Sequence, residues 1–265
     1  MELSVIIVNY NGRKYLQNCL ESLYDNLKNI HFEIIVVDNN SDDESCHFIK
    51  QYFPAVKLLE SKENQGFGKA NNYGVQHADG EFILFLNNDT ILLDPVQPAL
   101  EVLKSNQDYG FLTINMFGEN KNYIPAVGKF PSPWRMIKIS LLNDRRKVFQ
   151  TGNFDLEKVY QVDWVTGAFM LLRKADFEKV DGFDPDYFMY VEDVDLCKKI
   201  ATIGKTGVFV PKLSYVHFVG FNKSRENMLI QGYQIFAQKH FSGSSKQLAL
   251  MLLFVNKTVK RLKNY

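Results

Sequence analysis

The sequence predicts an α/β protein, with a mostly parallel central sheet flanked by helices on both faces. Three observations carry this. Short apolar runs alternate with helically spaced leucines over residues 1–116. The runs are continuous rather than alternating, as in strands covered on both faces. Each run also ends in short amides or acids, the position where open parallel sheets bind ligands.

The elements follow in order. Residues 5–8 (VIIV) form a first strand, and Leu16, Leu20, Leu23 and Leu27 recur at helical spacing. Residues 34–37 form a second strand ending at Asp38. Residues 42–53 read as a helix with an acidic first turn, stopped by Pro54. A third strand covers 56–59, a short helix 68–77, and a fourth strand 82–86 ends at Asn87-Asn88-Asp89. Pro95 sits in the first turn of a helix reaching Lys104. Right-handed crossovers join the parallel strands. Residues 117–163 break the pattern. They hold Pro125, Pro131 and Pro133, and from Glu119 to Lys147 seven Lys or Arg face two acids, so an irregular, partly mobile segment is expected. Regularity returns with a strand at 169–172, helices at 174–180 and 192–203 (stopped by Gly204), a strand at 206–210 and a long helix at 223–240.

Composition narrows the function. Hydrophobic residues make up 46% and charged residues 23% of the 265, with 21 Phe and 13 Tyr, which excludes disorder. The length allows one to two domains of about 150 residues. Lys and Arg number 31 against 30 acids, a net charge of +1. That balance excludes a protein living on non-specific nucleic-acid attraction, and no nucleic-acid partner is expected. Cys19, Cys46 and Cys197 lie far apart with no CxxC pair, which suits a reducing compartment and no structural zinc. The chain opens on LSVIIVNYN without a leader pattern, and its longest apolar run, 248–255, is far short of the ~20 residues a spanning helix needs. A cytoplasmic location is expected.

Four polar clusters fall at successive strand ends: Asn9-Tyr10-Asn11, Asp38-Asn39-Asn40-Ser41, Asn64-Gln65-Gly66-Phe67-Gly68 and Asn87-Asn88-Asp89. Helix capping explains any one of them; four in succession point to a shared crevice. A dinucleotide fingerprint is absent. Gly12 stands alone after the first strand, and where a third glycine would follow Gly66 and Gly68 there is Asn71. No GxxxxGK[ST] exists either. Asp38 can accept hydrogen bonds from a ribose or a base. Asp89 is the best metal candidate, because Mg²⁺ takes one or two carboxylates together with phosphates and waters; Asx-turn chemistry is the plainer alternative.

Asp193 shares a helix face with Leu196, Cys197 and Ile200, an inward stripe, while Glu192 shares the solvent side with Asp195 and Lys199. An inward carboxylate is either an anion held at a helix N-terminus or a general base, and the spacing leaves both open. His217 precedes Gly220, and a lone His is more often structural than a ligand. The tail from Lys246 to Lys263 sets an apolar block beside Lys257, Lys260, Arg261 and Lys263. It is either a terminal helix packed on the core or a basic amphipathic segment lying on an anionic membrane.

In order, SVIIVNYNG, EIIVVDNNSDD, ENQGFGKANNYG, LFLNNDT, WVTGAFMLLRK, GFDPDYFMYVEDVDLCKKI and HFVG resemble the inverting family-2 glycosyltransferases of GT-A fold. The nearest branch is the bacterial rhamnosyltransferase-like one, which builds cell-surface polysaccharides. The resemblance implies a Rossmann-like sheet with an acceptor-side extension and C-terminal helices. It divides the chain into a donor-binding half at 1–116, an acceptor-binding and catalytic half at 117–240 and a tail at 241–265. It implies that Asn9, Asn11, Asp38, Asn64, Gly66, Gly68, Asn71, Asn87 and Asn88 bind a nucleoside-diphosphate sugar. Asp89 and His217 would hold a divalent cation, Mg²⁺ or Mn²⁺. Trp164, Gly167, Ala168 and Glu192 would meet a saccharide or lipid-linked saccharide acceptor, and Asp193 would be the base. Lys199 stands where the family often has Arg, and Lys lacks the bidentate fork. On the membrane reading of the tail, the protein would make peripheral contact with the inner face of the plasma membrane; on the other reading the tail packs on the core. An inactive sugar-nucleotide-binding protein is the alternative, and the presence of both Asp89 and Asp193 argues against it. A nucleotidyltransferase would carry a Gly- and Arg-rich loop after the first strand, which NYNGRKY is not.

Overall fold

The computed structural model describes residues 1–218 and 224–263, and of residues 224–226 and 260–263 the backbone alone. Four parallel strands open the chain: β1 (Leu3–Asn9), β2 (Phe32–Asp38), β3 (Lys57–Glu60) and β4 (Phe82–Asn87), side by side as β3-β2-β1-β4. Helices α1 (Arg13–Asn26), α2 (Ser45–Tyr52) and α3 (Phe67–Gln76) connect them. Next come β5 (Thr90–Leu92), α4 (Gln97–Ser105) and β6 (Tyr109–Phe117). The stretch expected to be irregular holds β7 (Val127–Gly128), 3-10 turns at Pro133–Ile137 and Ile139–Leu142, α5 (Lys147–Thr151) and β8 (Tyr160–Val162). The chain continues through β9 (Trp164–Val165), β10 (Phe169–Arg173), α6 (Lys174–Lys179), α7 (Glu192–Thr202), β11 (Thr206–His217), α8 (Ser224–His240) and α9 (Gly243–Lys263).

The sheet is mostly parallel, with one informative departure. Strand β10 inserts antiparallel between β4 and β6, so residues of the second half complete the sheet begun by the first. Strand β6 then pairs in parallel with β11. The continuous apolar runs have the predicted cause. Val5 and Ile7 face a core formed with α1, α2 and α4, while Ile6 faces a second core formed with α3, α6 and α7. Ile34 and Val36 against Ile35 and Val37 repeat the split.

Three local expectations are corrected. Helix α2 starts at Ser45, so Asp42 and Asp43 precede it; the Asp43 carboxylate accepts the Arg13 and Ser45 N–H groups at 2.7 and 3.2 Å and joins two helix starts. The proline in the first turn of α4 is Pro98, and Pro95 lies before the helix. Strand β11 runs on to His217 across an irregularity between Val210 and Ser214, so His217 is a strand residue rather than part of a following loop.

A third cluster lies apart from the sheet. Tyr233, Phe236 and Ala237 of α8 and Ala249, Leu252 and Leu253 of α9 pack on Tyr187, Val191 and Val194 and on Met136 and Leu142. The apolar block of the tail thus packs on the protein through one side, and this helical pair covers the segment leading into α7.

Candidate active site

Parallel pairing brings the C-terminal ends of β1, β2 and β4 level, with Asn9 opposite Asp38 and Val8 opposite Asn87. The short polar residues there bond to one another. The Asn9 amide donates to Asp38 Oδ1 at 2.8 Å and to Ser41 Oγ at 3.1 Å, and its own oxygen accepts the Asn88 amide at 2.7 Å. Asp38, 2% exposed, also accepts Ser41 Oγ at 2.6 Å and Ser41 N–H at 2.8 Å. Asn11 has a left-handed backbone, φ 50°, and its side chain accepts the Asp42 N–H at 2.9 Å. Asn39 donates to Gly66 O at 2.9 Å and so joins the β2 end to the next loop. Of these, Asn9 is a hub whose side chain is already engaged, and Asn39 and Ser41 are site residues that the sequence reading named only as members of a cluster.

The loop before α3 is held by the other half of the molecule. Asn64 accepts the Gly66 N–H at 3.0 Å. Gly66 lies at φ 81°, and a Cβ there would stand 2.1 Å from Phe188 O, so no larger residue fits. Phe67 N–H donates to that same Phe188 oxygen at 2.9 Å. Gly68 approaches the Phe183 side chain closely. Asn71 is buried and turned back onto Phe67 O at 3.0 Å, a contact that shapes α3 itself.

At the end of β4, Asn87 Nδ2 and Asp89 Oδ1 lie 3.2 and 3.1 Å from His217 Nε2. His217 Nδ1 is buried with no hydrogen-bond partner among the described residues. An imidazole nitrogen and a carboxylate oxygen therefore converge on one point, although 128 residues separate them in sequence. No group of three or more His, Cys, Asp or Glu gathers among the described residues. A carboxylate oxygen and an imidazole nitrogen are ligand types that a divalent cation such as Mn²⁺ takes, so Asp89 and His217 are the residues that would hold one. Gly220, named with His217 in the sequence reading, lies outside the described residues.

The base candidate meets this cluster at one dipeptide. Gly167 N–H donates to Asp193 Oδ2 at 3.0 Å. The next residue, Ala168, accepts the Asn87 N–H through its carbonyl at 3.1 Å. A Cβ on Gly167 would touch the Phe67 ring at 3.0 Å. Three motifs distant in sequence thus converge on Gly167-Ala168. The Ala168 side chain itself is buried in the sheet core. Trp164 lies against Gly128, and its indole N–H donates to Lys129 O at 3.0 Å, so the ring is braced in place.

The assignment of faces on α7 is reversed in one respect. Glu192 is 5% exposed and buried, not turned to solvent, while Asp193 is only half-buried. Burial, reinforced by the charge of Asp193, pushes the Glu192 carboxyl up to about 8. Glu192 Oε2 has no hydrogen-bond partner among the described residues. Asp195, also expected at the surface, is 1% exposed; it accepts Tyr187 OH at 3.2 Å and pairs with His240 Nε2 at 2.7 Å. Helical spacing says which residues share a face, not which face a later element covers, and here His240 of α8 reaches Asp195.

Two successive non-glycine residues with left-handed backbone, Tyr190 (φ 71°) and Val191 (φ 76°), lead into α7. Such a turn costs about 1–3 kcal/mol per residue and persists only where its surroundings enforce it. Here α8 does so. A Cβ on Gly232 would stand 2.6 Å from Tyr190 O and 2.8 Å from Val191 Cγ2. Lys239 pairs with Asp184 and Asp186 at 2.8 and 2.7 Å. Burial, with the Asp193 charge as a second cause, pushes the Tyr233 hydroxyl up.

Residues 4–181 match the family model described as "Glycosyl transferase family 2", and the chain belongs to that family, which is inverting. It is 33% identical to the rhamnosyltransferase WbbL of Escherichia coli over 231 residues, 81% of this chain and 82% of that one. It is 26% identical to the N-acetylglucosaminyl-diphospho-decaprenol L-rhamnosyltransferase of Mycobacterium tuberculosis, over 84% of this chain and 78% of that one. The fold is that of Staphylococcus aureus TarS 1-349, solved with UDP: TM-score 0.64, 21% identity, 96% of this chain and 71% of that one. It is also that of a Pyrobaculum calidifontis mannosyltransferase solved with GDP-Man and Mn²⁺: TM-score 0.65, 18% identity, 98% of this chain and 75% of that one.

Proposed function

We propose that this glycosyltransferase moves a deoxyhexose, rhamnose foremost, from a nucleoside diphosphate to a hydroxyl of a lipid-linked saccharide in cell-surface polysaccharide synthesis. The convergence on Gly167-Ala168 carries the reading, because it sets the Asp193 carboxylate beside the donor cluster. Residues 1–116 serve the donor. Asp38, Asn11 and Ser41 offer polar edges to the nucleoside, and Asn64, Gly66 and Gly68 shape the loop that closes beside it. Residues 117–240 serve the acceptor, with Trp164 and Gly167 forming a braced floor. Asp193 takes the proton from the acceptor hydroxyl; that oxygen attacks the anomeric carbon, the bond to the diphosphate breaks, and configuration inverts in one in-line step. Asp89 and His217 would hold a divalent cation, whose charge would offset that of the departing diphosphate. The enzyme works at the cytoplasmic face of the membrane that carries its acceptor, with the tail at 241–265 in contact.

The test is a thermal-shift screen of the purified protein against UDP-, dTDP- and GDP-sugars with and without Mn²⁺, followed by transfer to a diphospholipid-linked saccharide. A ligand specific to the native state raises stability by RT ln(1 + [L]/Kd). A shift with dTDP-rhamnose and rhamnosyl transfer are expected. A shift with another sugar nucleotide and no rhamnosyl transfer overturns the sugar assignment, and no shift with any of them overturns the donor site.

A further inference from the structure

Helix α9 has two apolar faces, and the core uses one of them. Ala249, Leu252, Leu253 and Asn256 are buried. On the opposite side Met251, Phe254, Val255 and Val259 are 56, 66, 40 and 44% exposed. Their spacing of three, four and eight residues makes a continuous stripe along the helix. A second apolar projection stands beside it. The 3-10 turn Pro133–Ile137 packs on α9, where Met136 is buried and its carbonyl accepts the Asn256 amide at 3.4 Å. The same turn leaves Trp134 72% and Ile137 49% exposed. Single exposed apolar residues are ordinary. Six large ones on two adjoining elements make a patch of the kind that marks an interaction surface.

Charge identifies the occupant. Helix α9 contains no Asp or Glu from Gly243 to Lys263. Between Lys129 and Lys147 the one acid is Asp144, whose side chain is buried and paired with Arg146 at 2.7 Å. Arg135 and Lys138 lie in the 3-10 segment itself and Lys246 and Lys257 on α9, while the chain as a whole is balanced at +1. Protein interfaces are depleted in lysine. An aromatic and aliphatic centre with a lysine- and arginine-rich surround instead matches an element lying in the headgroup region of an anionic bilayer. No helix among the described residues is long and apolar enough to cross a membrane, so contact along a surface is the geometry this patch allows.

We propose that α9 and the turn Pro133–Ile137 together form the surface that docks this protein on an anionic lipid bilayer, with Trp134, Ile137, Met251, Phe254, Val255 and Val259 entering it. This rests on the reading of a membrane-borne acceptor and sharpens it. The contact is one face of the tail helix rather than the whole tail, and it includes a second element more than a hundred residues earlier. The other face of α9 packs with α8 on the segment leading to Asp193, so docking holds the base-bearing side of the crevice toward the lipid.

The experiment is co-sedimentation of the full chain with phosphatidylglycerol/phosphatidylethanolamine vesicles and, separately, phosphatidylcholine vesicles, at low salt. Wild type is expected on the anionic vesicles only. Trp134→Ser with Phe254→Asp, and independently Lys138→Glu with Lys257→Glu, are expected to lower binding about tenfold or more. Both variants keep the wild-type melting temperature, since the altered side chains lie outside the packed core, and keep its thermal shift with sugar nucleotide. Wild type that stays in the supernatant, or variants that bind as well as wild type, overturns the proposal. So does a wild-type dimer in solution that the apolar variant turns into a monomer, because the face would then belong to a second copy of the chain. Vesicle binding without any sugar-nucleotide shift leaves this surface standing and overturns the donor reading instead.

Discussion

The two sides of the crevice are built in opposite ways. On the donor side, Asn9, Asp38, Ser41 and Asn88 stand at the ends of neighbouring parallel strands and satisfy one another. Strand pairing alone brings them level, and they need little from the rest of the chain. On the base side, Tyr190 and Val191 hold an unfavourable turn, and the groups that hold it down come from α8 and α9. The Asn9–Asp38–Ser41–Asn88 core is made within the first half, whereas Asn87 and the loop before α3 lean on Ala168, His217 and Phe188 of the second. The turn before Asp193, the proposed base, instead depends on residues of α8 and α9.

Four substitutions break or sharpen that contrast, from the largest expected effect to the smallest. Asp193→Asn removes the proton acceptor and keeps the shape, so turnover should fall about 10²–10⁴-fold while the sugar-nucleotide thermal shift stays near wild type. Near-normal turnover would move the base role to another carboxylate. Gly232→Val forces a side chain into the space of the Tyr190 carbonyl and Val191. A misplacement of about 1 Å costs roughly 10²-fold, and the loss should fall on kcat with donor KM unchanged. If donor KM rises equally, the clamp serves the whole crevice and the contrast fails.

Asp89→Ala acts on the other side. Nucleoside-diphosphate binding should weaken about tenfold or more and any Mn²⁺ stimulation disappear, as read by titration with and without metal. If EDTA leaves the wild-type rate unchanged, the leaving group is stabilised without a cation. The smallest effect concerns Glu192. Its carboxyl is raised from the ordinary 4.5 to about 8, so the folded protein holds a proton that the unfolded chain releases. Stability from this source is complete below about pH 4.5, declines as pH rises toward 8, and is lost above that. Glu192→Gln should flatten the fall in melting temperature between about pH 5 and 8. A parallel curve for the two proteins would show that Glu192 is ionised throughout.

Much of the polar cluster at the strand ends was legible in the sequence. Continuous apolar runs announced two-faced strands, and each run ended in the residues that now bond across the crevice, because strand end and site coincide in an open parallel sheet. The base side was legible in part. The helix holding Glu192, Asp193 and Asp195 was predicted at its true start, yet Glu192 and Asp195 were placed at the surface. Nothing within α7 says that His240 of α8 will reach Asp195. The strand β6 escaped the reading although Asn106, Asp108 and Gly118 flank it, and β11 was ended at Val210 because Pro211 follows, whereas the strand passes Pro211 through the irregularity between Val210 and Ser214 and runs on to His217. The tail was read as either core-packed or membrane-facing. Helix α9 packs through one face and leaves the other bare, a division that an eight-residue apolar run does not display.

By itself the sequence determined the αβ alternation, the short polar residues that close the parallel strands and the start of the helix that carries Asp193. These follow from local periodicity and backbone preference, which act over a few residues. The tertiary structure alone decided that β10 would cross antiparallel into the first sheet, that Asp89 and His217 would meet, that Glu192 would be buried, and that His240 of α8 would pair with the buried Asp195. Those outcomes depend on which surfaces meet after long loops close, and burial by a distant element is invisible to periodicity. The same closure turned a scattered set of motifs into one crevice, with the Gly167 N–H on the base and the Ala168 carbonyl on the donor strand.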